Sequence, residues 1–191
     1  MIIRSQLDII LQENNLNQNQ HEALSGVNQA VTRLSKLSQS LLILSKIEHD
    51  ELDNSQKINL KEALENKLQD LEELWKSGSY LVDIELNHAE CKISPELADL
   101  LLNNLLNNAL QHIPKKGKVQ IKLGNHCLEI KNSALNGSLD IERIFTRFYK
   151  QSEEPSNNGL ELAIVWQICQ RASRKITYNF SNEMHYFLLM W

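Results

Sequence analysis

Residues 101–118 read LLNNLLNNALQHIPKKGK, and the fold of the chain turns on how that stretch is arranged. Residues four apart share a helix face, so Asn104, Asn108 and His112 form one stripe while Leu101, Leu102, Leu105 and Leu106 point largely elsewhere. Asn costs a few tenths of a kcal/mol at each mid-helix position relative to better helix formers, so the repetition needs a reason outside propensity. Two reasons are open. One is a solvated face. The other is that neutral amide oxygens are hard ligands, able to hold Mg²⁺ beside a polyphosphate without adding repulsive charge.

The residues beyond His112 narrow the choice. Pro114 and Gly117 end the helix, Lys115, Lys116 and Lys118 bring positive charge there, and residues 119–123 alternate as a strand does. The order N-L-L-x-N-A-x-x-H, then Pro and Gly, then a strand, resembles the N box of sensor histidine kinases.

The composition agrees with such a chain and excludes other classes. Its 191 residues allow one ordinary domain plus an extra element, with a real core. Twenty basic against 24 acidic side chains give a net charge of −4, which implies no broad basic surface and hence no nucleic-acid partner. Cys91, Cys127 and Cys169 are odd in number and widely spaced, so they are expected as reduced, partly buried thiols rather than a disulfide framework or zinc site. No apolar run approaches the roughly 20 residues a membrane-spanning helix needs, and no signal peptide precedes the first helix. The expected location is the cytoplasm.

Outward from the central stretch, residues 2–12 predict a helix with Ile3, Leu7 and Ile10 on one side, interrupted by Asn14, Asn15, Asn17 and Asn19. A longer helix over 21–48 carries Leu24, Val27, Val31, Leu34, Leu37, Leu41 and Leu44. Joined by a short turn, the two make an antiparallel hairpin whose remaining apolar surface demands intramolecular cover or a homodimeric four-helix bundle, of which the dimer is the expectation. Asp50, Asp53, Asn54 and Ser55 mark a polar break, dividing the chain into residues 1–53 and 54–191. The second part predicts a short strand at 57–59, a helix at 60–75 with Leu64, Leu68, Leu71 and Trp75 on one face, and a strand at 80–86 whose apolar members are Leu81, Val82, Ile84 and Leu86. A further short strand falls at 92–93. Ser94 and Pro95 open the Asn-bearing helix, and strands at 119–123 and 128–131 meet through a Gly124-Asn125 turn. Residues 132–140 read as irregular, 152–158 as a turn-rich mobile loop, Gly159 as the start of a buried helix, and 175–180 and 185–190 as closing strands. The fold class is α+β, a helical hairpin followed by an α/β sandwich.

In order, these blocks resemble a histidine kinase from partway along its dimerisation helix to its C-terminus. The N box is 104–112, the F box is Phe145, Arg147 and Phe148, the second glycine box is 159–165 with Gly159 and Leu160 at its head, and His185 with Phe187 resembles the H-x-F of the last strand. The resemblance implies a Bergerat-type ATP-binding fold. Asn108 would be the Mg²⁺ ligand, Asn104 its support one turn earlier, and His112 a neighbour of the phosphates with Lys115 beyond it. Arg147 would offer its fork of donors to a phosphoryl group. Phe145 and Phe148 would anchor the lid or ring pocket, though plain core packing explains Phe145 as well. Gly159 would bring backbone N–H groups to phosphate at a helix N-terminus.

Three departures stand against that pattern. The family's adenine-contacting Asp is here Asn132, which keeps an acceptor and loses the charge. The middle residue of the usual G-L-G-L is Glu161, whose carboxylate would repel triphosphate unless it turns to solvent. The family's acceptor His, in an H-E-x-x-T-P pattern, precedes the equivalent of Met1, so no catalytic acceptor is expected in the chain. His21-Glu22 is no substitute, because Thr-Pro is missing and Gly26 comes after it. The expectation is therefore the cytoplasmic portion of a bacterial sensor histidine kinase, tied to the inner membrane only by segments ahead of it, binding ATP and Mg²⁺ and serving a response-regulator receiver domain. The alternative is a non-catalytic dimerising module with a degenerate nucleotide site.

Overall fold

A computed structural model describes residues 6, 9–10, 16–48, 56–150 and 159–191. In chain order the elements are α1 (Gln18–Glu48), β1 (Lys57–Asn59), α2 (Leu60–Asp70), α3 (Glu72–Ser77), β2 (Leu81–Leu86), β3 (Glu90–Lys92), α4 (Pro95–Gln111), β4 (Lys118–Leu123), β5 (Cys127–Ser133), α5 (Glu161–Arg171), β6 (Lys175–Ser181) and β7 (Met184–Met190).

Alternation of side chains along β4, β5 and β7 builds the sandwich. Val119, Ile121, Leu123, Leu128, Ile130, Phe187 and Leu189 point to one face and are buried against the helices. The opposite face carries cross-strand polar pairs: Gln120 donates to Asp83 at 2.9 Å, Lys122 meets Glu85 at 2.8 Å, and the Tyr186 hydroxyl donates to Glu129, which also meets Lys131, two residues on along β5, at 2.7 Å. The strand order is β2-β4-β5-β7-β6, with β2 parallel to β4 and every other pairing antiparallel. A separate two-stranded ladder joins β1 to β3. The mixed sheet with helices on one face is the α+β sandwich expected from the sequence.

Several local expectations change. The helix expected at 60–75 breaks at Leu71, where ψ goes to −1°, and its second piece brings Trp75 into the core edge-on to Tyr80 at 6.3 Å. Asn59 caps the first piece, its side chain accepting from Lys61 N–H at 3.1 Å. Leu81 and Ile84 are exposed rather than buried: Leu81 stands on the polar face with Asp83 and Glu85, opposite Lys118, and Ile84, on the helix side, lies in an edge strand with one neighbour. Asn132 is not irregular: β5 continues to Ser133, held between β4 and β7 by the pairs Asn132 with Val119 and Asn132 with His185. The helix after Gly159 begins at Glu161.

Of the expected hairpin, its second helix, α1, is described. The expected first helix, apart from residues 6, 9 and 10, the polar break at 50–55 and the loop at 152–158 lie outside the described residues. The far end of α1 packs on α5, with Leu44 and Ile47 buried, whereas Val27, Leu34, Leu41 and Leu42 are exposed along the rest of its length. Intramolecular cover thus accounts for one end of the apolar seam.

Candidate functional site

The N-terminus of α4 is set by Ser94, whose hydroxyl accepts from Leu97 N–H at 3.2 Å, and by Pro95 at the first turn. From there Leu97, Leu101, Leu102, Leu105 and Leu106 fill the core, and the phase of the helix carries Asn104 and Asn108 inward with them. Asn104 is 9% exposed and Asn108 7%, so the Asn stripe is not a solvated face. The two carboxamides differ in what they touch. Asn104 Nδ2 donates back to Leu100 C=O at 2.7 Å, a bond within its own helix. The Asn108 carboxamide makes no hydrogen bond among the described residues and lines a cleft.

That cleft lies between the end of α4, the turns after β5 and the start of α5. Asn108 and His112 form one wall, Leu139, Ile144, Tyr149 and Lys150 a second, and Gly159, Glu161 and Leu162 a third. Its free space is about 40 Å³, enough for a cation or water and short of a nucleotide. Three residues expected from the sequence therefore converge: Asn108, His112 and Gly159. Seven do not line it. Asn104 stands one turn back, Lys115 is exposed on the turn after α4, and Leu160 is buried in the core. Phe145 packs against the core, as its plainer explanation required, while Arg147 and Phe148 are exposed on the turns beyond it. Asn132 is the seventh.

Residues 141–148 run as successive turns, fastened at both ends. Asp140 C=O accepts from Ile144 N–H at 2.8 Å and Asp140 N–H donates to the Tyr149 hydroxyl at 2.9 Å. Phe148 takes φ +65°, unusual for a bulky residue, and donates its N–H to Gly159 C=O at 2.8 Å. Gly159, at φ +64°, is a glycine by necessity: a Cβ there would stand 2.6 Å from Tyr149 O and 2.8 Å from Phe148 C. Its role is to let two chain segments cross closely, which reading it as a helix start did not capture.

Glu161 is half-buried at the cleft, not turned away into solvent, and its Oε2 accepts from Leu160 N–H at 3.2 Å. Lys150 and His112 are the basic groups of the same walls. Asn132 is 1% exposed; its Nδ2 donates to Ser133 C=O at 3.2 Å and its Oδ1 has no partner among the described residues. Opposite it in register is His185, whose Nδ1 lies 3.0 Å from the Tyr178 hydroxyl. Burial, with the charge of His112 second, pushes the His185 imidazole down to about 4, so it is neutral. The Tyr178 hydroxyl in turn accepts Leu139 N–H at 2.9 Å, which ties the cleft wall to the sheet. Leu139, Tyr149, Lys150 and Tyr178 were not singled out from the sequence; Tyr149 and Lys150 directly follow the F box, and adjacency was the available signal.

The donor set suits a phosphate-bound cation. Among the described residues no group of three His, Cys, Asp or Glu side chains could hold a metal by itself. An unpaired neutral carboxamide beside basic groups fits Mg²⁺ carried largely by substrate oxygens and water.

Residues 94–185 match the family described as histidine kinase-, DNA gyrase B-, and HSP90-like ATPase. The heme sensor protein HssS of Staphylococcus epidermidis is 25% identical over 193 residues, covering 97% of this chain and 43% of that protein. The chain thus spans less than half the length of the curated relative it matches. Among solved structures, Acinetobacter baumannii histidine kinase AdeS superposes with a TM-score of 0.66 at 19% identity, covering 98% of this chain and 92% of the other. Full-length ShkA in complex with AMPPNP gives 0.71 at 14% identity, covering 98% and 43%.

Proposed function

We propose that this chain, which through residues 94–185 belongs to the histidine kinase-, DNA gyrase B- and HSP90-like ATPase family and aligns along its length with sensor histidine kinases, is the part of such a kinase that holds ATP for phosphoryl transfer. The observation that carries the reading is the buried, unpaired carboxamide of Asn108 at the cleft. Its oxygen is the ligand for Mg²⁺, with Asn104 behind it. When bound, that ion neutralises phosphate charge and orients the transferring group. His112 and Lys150 stand where negative charge gathers, and Lys115 and Arg147 extend the basic surface outside the cleft. Gly159 borders the cleft that phosphate would enter, with Leu160 packed in the core behind it, Phe145 and Phe148 belong to the turns beside it, and Asn132 accepts from the base.

In the whole protein a His on the dimerisation hairpin would receive the γ-phosphoryl group. An N–P bond forms as the P–O bond to ADP breaks, and an Asp of a response regulator then takes the group from the imidazole. We assign residues 1–53 to that hairpin and 54–191 to the ATP-binding domain. The exposed Val27, Leu34, Leu41 and Leu42 of α1 support dimerisation through it. A cytoplasmic place, on the inner side of the bacterial membrane, belongs to the same reading; among the described residues no helix is long and apolar enough to cross a membrane.

The rival is a dimerising module that has lost nucleotide binding, favoured by the carboxylate of Glu161 in so small a cleft. Calorimetric titration with ATP and Mg²⁺ separates them. Measurable binding that falls about tenfold or more in Asn108→Ala supports the kinase, since one charge-assisted contact is worth roughly 1.5–3 kcal/mol. Glu161→Gly should tighten binding. Absence of heat from both the wild-type chain and Glu161→Gly supports the module.

A further inference from the structure

Glu161 opens α5 and supplies the only carboxylate among the described residues that line the cleft. Its Oε2 accepts from Leu160 N–H at 3.2 Å, a bond that folds the side chain back over the helix start and keeps it at the cleft. Its other oxygen makes no hydrogen bond among the described residues. Lys150 belongs to another wall of the same cleft and forms no ion pair with it. Asn108 lines the same space, 7% exposed, and its carboxamide has no partner either. With nothing to fix which end of that amide faces inward, its oxygen is available to whatever enters. Two oxygen acceptors, one anionic and one neutral, are thus left open toward about 40 Å³ of free space, which admits a cation or a water and no nucleotide.

A carboxylate and a carboxamide converging on so small a space are a hard-cation donor set, and a divalent ion of this kind commonly takes one or two carboxylates with water in the other positions. We propose that Glu161 is a cation ligand: with Asn108 it holds a divalent metal ion in the cleft before nucleotide arrives, standing in for the phosphate oxygens that later displace it. Lys150 is no obstacle, because it is exposed and its long stem lets the ammonium turn to water. The carboxylate therefore acts in two directions. It repels an approaching triphosphate, and it gives the ion a second protein ligand that the glycine usual at this position lacks. Only the displacement by phosphate rests on the ATP reading above; cation binding in the free chain stands apart from it.

Mn²⁺ replaces Mg²⁺ at oxygen sites and is visible by electron paramagnetic resonance, so its binding is followed at pH 7.5 without nucleotide. The wild-type chain should take up Mn²⁺, and Glu161→Gln and Asn108→Ala should each weaken that uptake about tenfold or more. Glu161→Gln keeps the shape of the side chain and an acceptor for Leu160 N–H, so its loss reports the charge and not the fold. A second measurement couples carboxylate to cation. By calorimetry, Glu161→Gln should tighten ATP about tenfold or more in EDTA and by clearly less in saturating Mg²⁺, because the ion offsets the carboxylate in the wild type. No uptake of Mn²⁺ by the wild-type chain, or uptake equal in wild type and Glu161→Gln, overturns the assignment of Glu161 and leaves the ATP reading standing. An equal gain in EDTA and in Mg²⁺ overturns it as well. Site-dependent uptake of Mn²⁺ with no binding of ATP to either chain in either medium upholds the cation site and overturns the ATP reading.

Discussion

Lowering the pH should destabilise the fold through His185 before most carboxylates titrate. Its imidazole is held near 4 by burial among Tyr178, Phe180 and Asn132 and by the proximity of His112, against an ordinary value of 6.5. A depressed histidine is neutral in the native state, so between those two values the unfolded chain binds more protons, and stability rises with pH. The contribution is complete above about 6.5, is lost as pH falls toward 4, and changes little below that. The gap between 6.5 and about 4 corresponds to about 3 kcal/mol, of which about 2 kcal/mol is already gone at pH 5. The assay is urea unfolding at pH 7.5 and pH 5.0. With a slope of about 2 kcal/mol per molar, the midpoint should drop by roughly 1 M. His185→Phe keeps the ring and removes the titration; it should be less stable at pH 7.5 by about 1–2 kcal/mol, because the Tyr178 hydroxyl loses its acceptor, and should show a markedly smaller drop between the two pH values. An identical drop in the wild type and His185→Phe refutes the reasoning.

Gly159→Ala should cost at least about 1–2 kcal/mol, the penalty of a left-handed residue with a Cβ, with more added by the crowding against Tyr149 O and Phe148 C; an unchanged urea midpoint would show that the crossing of chains there is loose. Thiol labelling under native conditions at pH 8 should reach Cys127, which is half-buried, and spare Cys169, which burial pushes up to about 12, and Cys91, which burial also raises. All three should react in denaturant, and native labelling of Cys169 at the rate of Cys127 would contradict the packing of α5.

What the sequence disclosed was whatever is local. The Ser94-Pro95 start, the 3.6-residue phase of α4, the Gly124-Asn125 turn and the alternation of β4 are each written within a few neighbouring residues, and all are present in the structure. Topology was not legible in the same way. That Ile84 faces solvent although it is on the helix side of the sheet depends on β2 having one neighbour, a fact set by a strand nearly 40 residues away. Asn104 and Asn108 look equivalent in a helical projection, yet one bonds to its own backbone and the other meets the cleft, a distinction made by what packs across from each. The tie from Leu139 to Tyr178 spans 39 residues and has no local signature. Phe148 is harder still, because aromatic residues are seldom found at positive φ and nothing nearby announces it.

The hydrogen bond from Phe148 to Gly159 has an evolutionary corollary. It staples the chain on either side of residues 149–158, so beyond Tyr149 and Lys150, which belong to the cleft wall, the number of residues that run between weighs little on the sandwich. Closing a loop grows in cost only logarithmically, by about 0.6 kcal/mol for each doubling of length. Relatives can therefore be expected to differ freely in the number of residues at this point, and a fluorescent or affinity tag spliced there should leave the thermal midpoint of the domain almost where it was.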